Sequence, residues 1–124
     1  MLTHMKTAAL VMQNAIRLLA VVLIGMGLMF WSGHSLDLIR LHMRLGEVLV
    51  GLLWILAAIS TRAGVKPGLA IGAMLYGFFL VMFAMRMGGI LPGGAHVIIQ
   101  VLHLLFGLGA VGLAERDRKS TRLN

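Results

Sequence analysis

Residues 95–114 read AHVIIQVLHLLFGLGAVGLA. Their reading decides the fold. A run of this length without Asp, Glu, Lys or Arg is about what an α-helix needs to cross a bilayer core. Its apolar residues are continuous rather than alternating, which favours a helix over a barrel strand. Within it His96, Gln100, His103, Gly107, Ala110 and Ala114 step by four and three, and so share one helix face. Polar side chains are costly in such a run, and they usually face protein or a water-filled cavity.

Three similar runs precede it, near residues 8–31, 41–59 and 69–87. The breaks between them are short. Ser32-Gly33-His34-Ser35 closes the first, and Thr61 to Gly68 forms a turn in which Pro67 is placed to begin a helix. Gly88-Gly89-Ile90-Leu91-Pro92-Gly93-Gly94 is too rich in Gly and Pro to continue the third. Short connections make sequential helices antiparallel neighbours. The expected fold is therefore an all-α membrane four-helix bundle, up-down-up-down. It forms a single transmembrane domain over residues 1–118, with helices near 8–31, 41–59, 69–87 and 95–114. Residues 119–124 are expected to be a disordered or artefactual tail.

Composition agrees. The chain is 60% hydrophobic and 12% charged, with a mean hydropathy of +0.97. A soluble domain is usually nearer half apolar and a quarter charged. There is no cysteine, which excludes disulfides, thiolate metal sites and a cysteine nucleophile. The net charge of +7 does not form a nucleic-acid patch, because the basic residues sit between apolar runs.

Their placement sets the expected orientation. With the N-terminus inside, Lys6, Arg17, Arg62, Lys66, Arg116, Arg118, Lys119 and Arg122 are cytoplasmic, against Arg40, Arg44 and Arg86 outside. This excess predicts both termini in the cytoplasm and a multi-pass protein of a bacterial cytoplasmic membrane. Arg17 is expected to snorkel to the inner interface, with Trp31 as an outer anchor. The first run follows Lys6 as a signal peptide would, but its apolar part is long and no small-x-small site precedes Trp31-Ser32. An uncleaved helix is expected.

In this topology the second and fourth helices are parallel, and most unusual polar residues fall in the outer half. Arg44 precedes Glu47 by three residues, the spacing of a helical ion pair. Glu47 reads either as a proton carrier or ligand-orienting carboxylate, or as half of a structural Arg44–Glu47 pair. His42 and Glu47 stand about 140° apart around their helix, so they meet one site only if the helix start frays or a neighbour wraps round. His96 and His103 lie about 10 Å apart along theirs, too far to share a small metal ion unaided. Each could pair with a second helix. A histidine from each of two helices is how haem b is clamped in four-helix membrane cytochromes, with His42 and either His103 or His96 as the pair here. Quinone binding would use His103 or Gln100 beside an apolar slot, with Glu47 for proton exchange. The bland alternative is interhelical hydrogen bonding.

Met26, Met29, Met43, Met82, Met85 and Met87 fall towards the same side, and thioethers with imidazoles suit Cu(I). Methionine is also an ordinary filler of apolar helices, and no MxxM array occupies an outer loop. Ala70, Ala73, Gly77 and Ala84, and Gly107, Ala110 and Ala114, form small-residue faces for close helix packing. They place tight packing in the inner half and any cavity in the outer half. No P-loop and no Ser/His/Asp arrangement is present, so no catalytic set is expected.

Leu38 to His42, His96 to Leu105 and the closing Gly112-Leu113-Ala114-Glu115-Arg116 resemble a group of small bacterial four-helix membrane proteins. The resemblance implies a fold and no activity. A fainter likeness, in Arg17 ahead of a Gly-containing first helix, is to DoxX-like proteins. Lys119-Ser120-Thr121-Arg122-Leu123-Asn124 resembles translated sequencing-adapter read-through, and setting it aside leaves the same orientation. The functional expectation is an accessory redox subunit binding haem b or quinone at His42, Arg44, Glu47, His96, Gln100 and His103. The alternatives are a structural or assembly protein, or a small transporter or copper-handling protein. The expected partners are the lipid bilayer and a second copy or membrane complex.

Overall fold

The computed structural model describes the backbone of residues 2–123 and the side chains of residues 3–116. Four helices account for most of it: α1 (Leu2–Trp31), α2 (Ile39–Arg62), α3 (Pro67–Arg86) and α4 (His96–Leu123). Single 3-10 turns, Leu36–Leu38 and Met87–Gly89, lead into α2 and out of α3. No strand occurs among the described residues. All four helices are long and apolar enough to cross a membrane.

The helices outrun the apolar stretches that announced them, most of all at the start of α1 and the end of α4. Hydrophobicity marks only the part that lipid must cover, whereas helical hydrogen bonding continues until a residue breaks it. Residues 2–24 and 113–123 contain neither Gly nor Pro. For the same reason α4 continues through Leu123, into the segment read from the sequence as a disordered or artefactual tail. The side chains of that tail lie outside those described.

The breaks have clear causes. Gly33 takes φ 83°, while the His34 N–H donates to the Met29 carbonyl and the Gly33 N–H to the Phe30 carbonyl. Gly64 takes φ 92°, and the N–H groups of Val65 and Gly64 donate to the carbonyls of Ser60 and Thr61. Both are Schellman ends, where a left-handed residue turns the chain and satisfies the last carbonyls. Pro67 opens α3 at its first turn, where its missing N–H costs nothing.

Each helix packs on its neighbours in sequence, α4 returns to α1, and α2 meets α4 across the diagonal. α1 and α3, on the other diagonal, make no comparably extensive contact. Residues from the start of α2 meet residues from the start of α4, as in the His42–His103 ring pair, so these helices run parallel. Arg17 meets Glu115, near the far end of α4, so α1 runs antiparallel to it. The bundle thus has a histidine end, with Trp31, His42 and His96, and a Glu115 end, with Gln13 and Ser60.

Small residues set the close approaches. A Cβ on Gly77 would stand 2.5 Å from Trp54 Nε1 and 2.8 Å from Val50, so only glycine lets α2 and α3 meet there. A Cβ on Gly109 would collide with the Tyr76 hydroxyl, which donates to the Phe106 carbonyl at 2.6 Å. Ile16, Leu53, Leu56, Ala57, Ala73, Ala110 and Ala114 are fully buried. Large apolar side chains such as Val21, Leu75 and Phe78 are more than half exposed, the surface that lipid covers.

Candidate functional site

The histidine end holds a half-open cavity of about 510 Å³. Local structure delivers its polar groups. The Schellman turn and the 3-10 turn return the chain so that His42, in the first turn of α2, meets Phe30 from the last turn of α1. Their ring centres are 5.4 Å apart, edge to face. Phe83 of α3, which does not itself line the cavity, lies nearly parallel to His103 at 6.5 Å. Each imidazole is therefore backed by a phenylalanine from the helix beside it. Such aromatic contacts hold ring orientation without using a ring nitrogen.

The two imidazoles face one another with ring centres 6.2 Å apart and planes inclined at 54°. Nδ1 of both rings is buried with no hydrogen-bond partner. Gln13 Oε1 and Trp54 Nε1 are unpaired too, so what sets the imidazoles apart is that their two unpaired nitrogens belong to facing rings. Gln100 and Glu47 also line the cavity, from α4 and α2. The rest of the wall is apolar, including Leu23, Val50, Leu80 and Leu104.

The sequence-derived residues separate here. His42, Glu47, Gln100 and His103 line one cavity. Glu47 joins His42 despite their angular separation because the cavity is wide enough to reach both faces of α2. Arg44 does not line it. It donates to Glu47 at 3.0 Å with a largely exposed side chain, at the cavity's edge. His96 does not line it either. Its Nδ1 lies 3.1 Å from the Ile90 carbonyl oxygen, tying the α3–α4 loop to the start of α4. Of the two partners considered for His42, geometry brings only His103 into ring contact.

A second polar cluster, at the opposite end, was not foreseen. Glu115 Oε1 accepts from Gln13 Nε2 at 2.5 Å and from Arg17 Nε at 2.6 Å. Arg17 Nη2 also lies 2.5 Å from it, so Arg17 forms an ion pair rather than only snorkelling. Gln13 is fully buried. Depth counting would have found this group. Gln13 lies eighteen residues before the end of α1, and Glu115 nineteen after the start of α4. In antiparallel neighbours those positions are level.

Among the described residues no three His, Asp or Glu side chains gather to hold a metal ion. The methionines Met43, Met85 and Met87 line the cavity from α2 and the α3 end. No family model, curated protein or solved structure matches the chain.

Proposed function

We propose that this chain is a small multi-pass redox protein of a bacterial cytoplasmic membrane, with both termini inside, holding a lipophilic cofactor between His42 and His103. The observation that carries the reading is the facing pair of imidazoles, 6.2 Å apart, each with an unpartnered buried Nδ1, at the wall of an apolar cavity. His42 and His103 would hold a metal-bearing cofactor between their imidazoles, and the group would supply one-electron redox chemistry. Haem b is such a group, and neutral imidazole nitrogen is a donor that suits its iron. The volume also suits a large cofactor, since ligand pockets span about 300–1,000 Å³ with mostly apolar walls.

Quinone is the second reading, favoured by Gln100 and Glu47 on the same wall. Gln100 or a histidine would bind a quinone oxygen, and Glu47, near the surface, would exchange protons. Purification in mild detergent after expression with a haem precursor tests the reading. The absorption spectrum and the extracted lipophilic compounds would be measured together. A Soret band, or a stoichiometric quinone, that His42→Ala and His103→Ala each remove supports it. A protein carrying neither, and binding neither when supplied, would overturn it and leave the helix-packing account.

A further inference from the structure

The cavity is polar at one end only. Its polar side chains are Trp31, His42, Glu47, Gln100 and His103. On α4 the lining continues past His103 through Leu104 and Leu108 to Val111, about 12 Å deeper along the helix axis. On α1 it runs from Trp31 to Ala20, about 16 Å deeper, with no polar side chain below Trp31. On α2 the last polar group is Glu47, which Arg44 holds at the exposed edge, and Val50 follows it. The depths agree from helix to helix. Ala20 stands seven residues from Gln13 and Leu108 seven from Glu115. Gln13 and Glu115 are bonded, so Ala20 and Leu108 are level on antiparallel neighbours. Val50 and Val111 each follow their facing histidine by eight residues on parallel helices. Short side chains from three helices, Ala20, Val50 and Val111, thus make the floor of a lower lobe. About one turn further, Ile16, Leu53 and Ala114 are fully buried and close the bundle.

Leu108 lines this lobe and is also 46% exposed, so at its depth a single side chain stands between the cavity and the surrounding lipid. An apolar lobe holds no water, and left empty it forfeits the contacts that its walls would make. We infer that the lower lobe is a subsite for a hydrocarbon chain. The ligand is an amphiphile whose polar head sits among His42, Gln100 and His103, and whose chain descends past Leu104 to Ala20. The inference rests on the reading of the cavity as a ligand site and adds what the ligand must carry. Two sources of chain share this chemistry: the ligand's own tail, and the acyl chain of a bilayer lipid beside a tail-less ligand. The lobe is continuous with the polar end, which assigns it to one molecule spanning both. Selection of the tail then lies with Ala20, Leu108 and Val111, away from the imidazoles.

The test titrates purified full-length protein with decylubiquinone and with its dimethoxymethylbenzoquinone head lacking the chain. Binding is followed by tryptophan quenching, since Trp31 lines the cavity. Haemin, followed by Soret absorbance, is the tail-less control. Ala20→Phe and Val111→Phe fill the lobe, and Val21→Phe, exposed on the outside of the bundle, corrects for partition into micelles. Thermal midpoints are measured before ligand is added. If a phenylalanine variant melts below wild type, Ala20→Val and Val111→Leu repeat the comparison. Wild type and Val21→Phe are expected to bind the tailed quinone at least tenfold more tightly than the bare head, and the filled variants less than threefold. The bare head should bind all of these proteins alike. A tail preference that survives filling would overturn the subsite. Equal binding of the two quinones by wild type would also overturn it, and phospholipid lost from the filled variants would then put a bilayer lipid's chain in the lobe. Haemin bound by wild type with neither quinone would overturn the chain subsite and leave the cofactor reading. Binding of none of the three by wild type would overturn both.

Discussion

The two ends of the bundle differ in how far their buried polar side chains pair with one another. At the Glu115 end, Gln13 Nε2 and Arg17 converge on one carboxylate, leaving Gln13 Oε1 unpaired, and Ile16, Ala57, Ala110 and Ala114 are fully buried. At the histidine end, two imidazoles meet without hydrogen bonding, over a cavity walled partly by glycine backbone. A buried polar group that finds its partner inside the fold is explained by the fold. One that does not costs the fold about 1–3 kcal/mol, and two such nitrogens on facing rings beside a cavity mark a place to test for a ligand. Buried polar side chains thus divide into a hydrogen-bonded cluster at one end and a candidate site at the other.

The sharpest break of this contrast is steric. Gly77→Leu drives a branched side chain into Trp54 and Val50, and overpacking of that kind typically costs about 1–3 kcal/mol or more. It is expected to lower the thermal midpoint in detergent strongly. The same change at Gly107 should scarcely move the midpoint of unliganded protein. Equal destabilisation at the two sites would mean that the cavity closes in solution, and the contrast would collapse.

Next in size is Glu115→Ala, which strips two donors of their shared acceptor. With Gln13 fully buried and Arg17 half exposed, the expected loss is about 1–3 kcal/mol. Glu115→Gln should recover part of it, because an amide oxygen still accepts from Gln13. At the other end His103→Leu is expected to change unliganded stability by under about 1 kcal/mol, since Nδ1 has no partner to lose. SDS-titration midpoints for the two variants compare the ends directly. A His103→Leu loss as large as that of Glu115→Ala would show the imidazole to be structural.

The fold was legible because its signals are one-dimensional. Apolar run length gives the spans, and Gly33, Gly64 and Pro67 give the turns. The small faces around Gly77 and Ala110 were readable as packing for the same reason. The candidate site was half legible. Spacing put His96, Gln100 and His103 on one face, yet His96 begins its helix and bonds to the loop instead. Whether the first residue of a helix faces a cavity or caps a turn depends on the loop's path, which spacing does not encode. Pairing across helices was harder still. His42 with His103, and Gln13 with Glu115, are set by relative helix height, fixed in turn by where Gly33 and Gly64 stop each helix.

The smallest expected effect belongs to the most conspicuous ion pair. Arg44 and Glu47 satisfy the helical spacing rule and lie 3.0 Å apart, but their side chains are 79% and 44% exposed. At such exposure water screens the attraction and the long arginine loses rotamer freedom, so the pair contributes about 0–1 kcal/mol. Arg44→Ala should leave the stability within about 0.5 kcal/mol of wild type, and raising the salt should not separate the two proteins further. Its use would then be sought in binding. If Arg44 serves the cavity's mouth, the substitution lowers the affinity for an acidic ligand such as haemin more at low salt than at high salt, while Glu115→Ala shows no such salt dependence. A large, salt-independent loss of stability from Arg44→Ala would place structural pairing at both ends of the bundle. The distinction between them would then rest on the imidazoles alone.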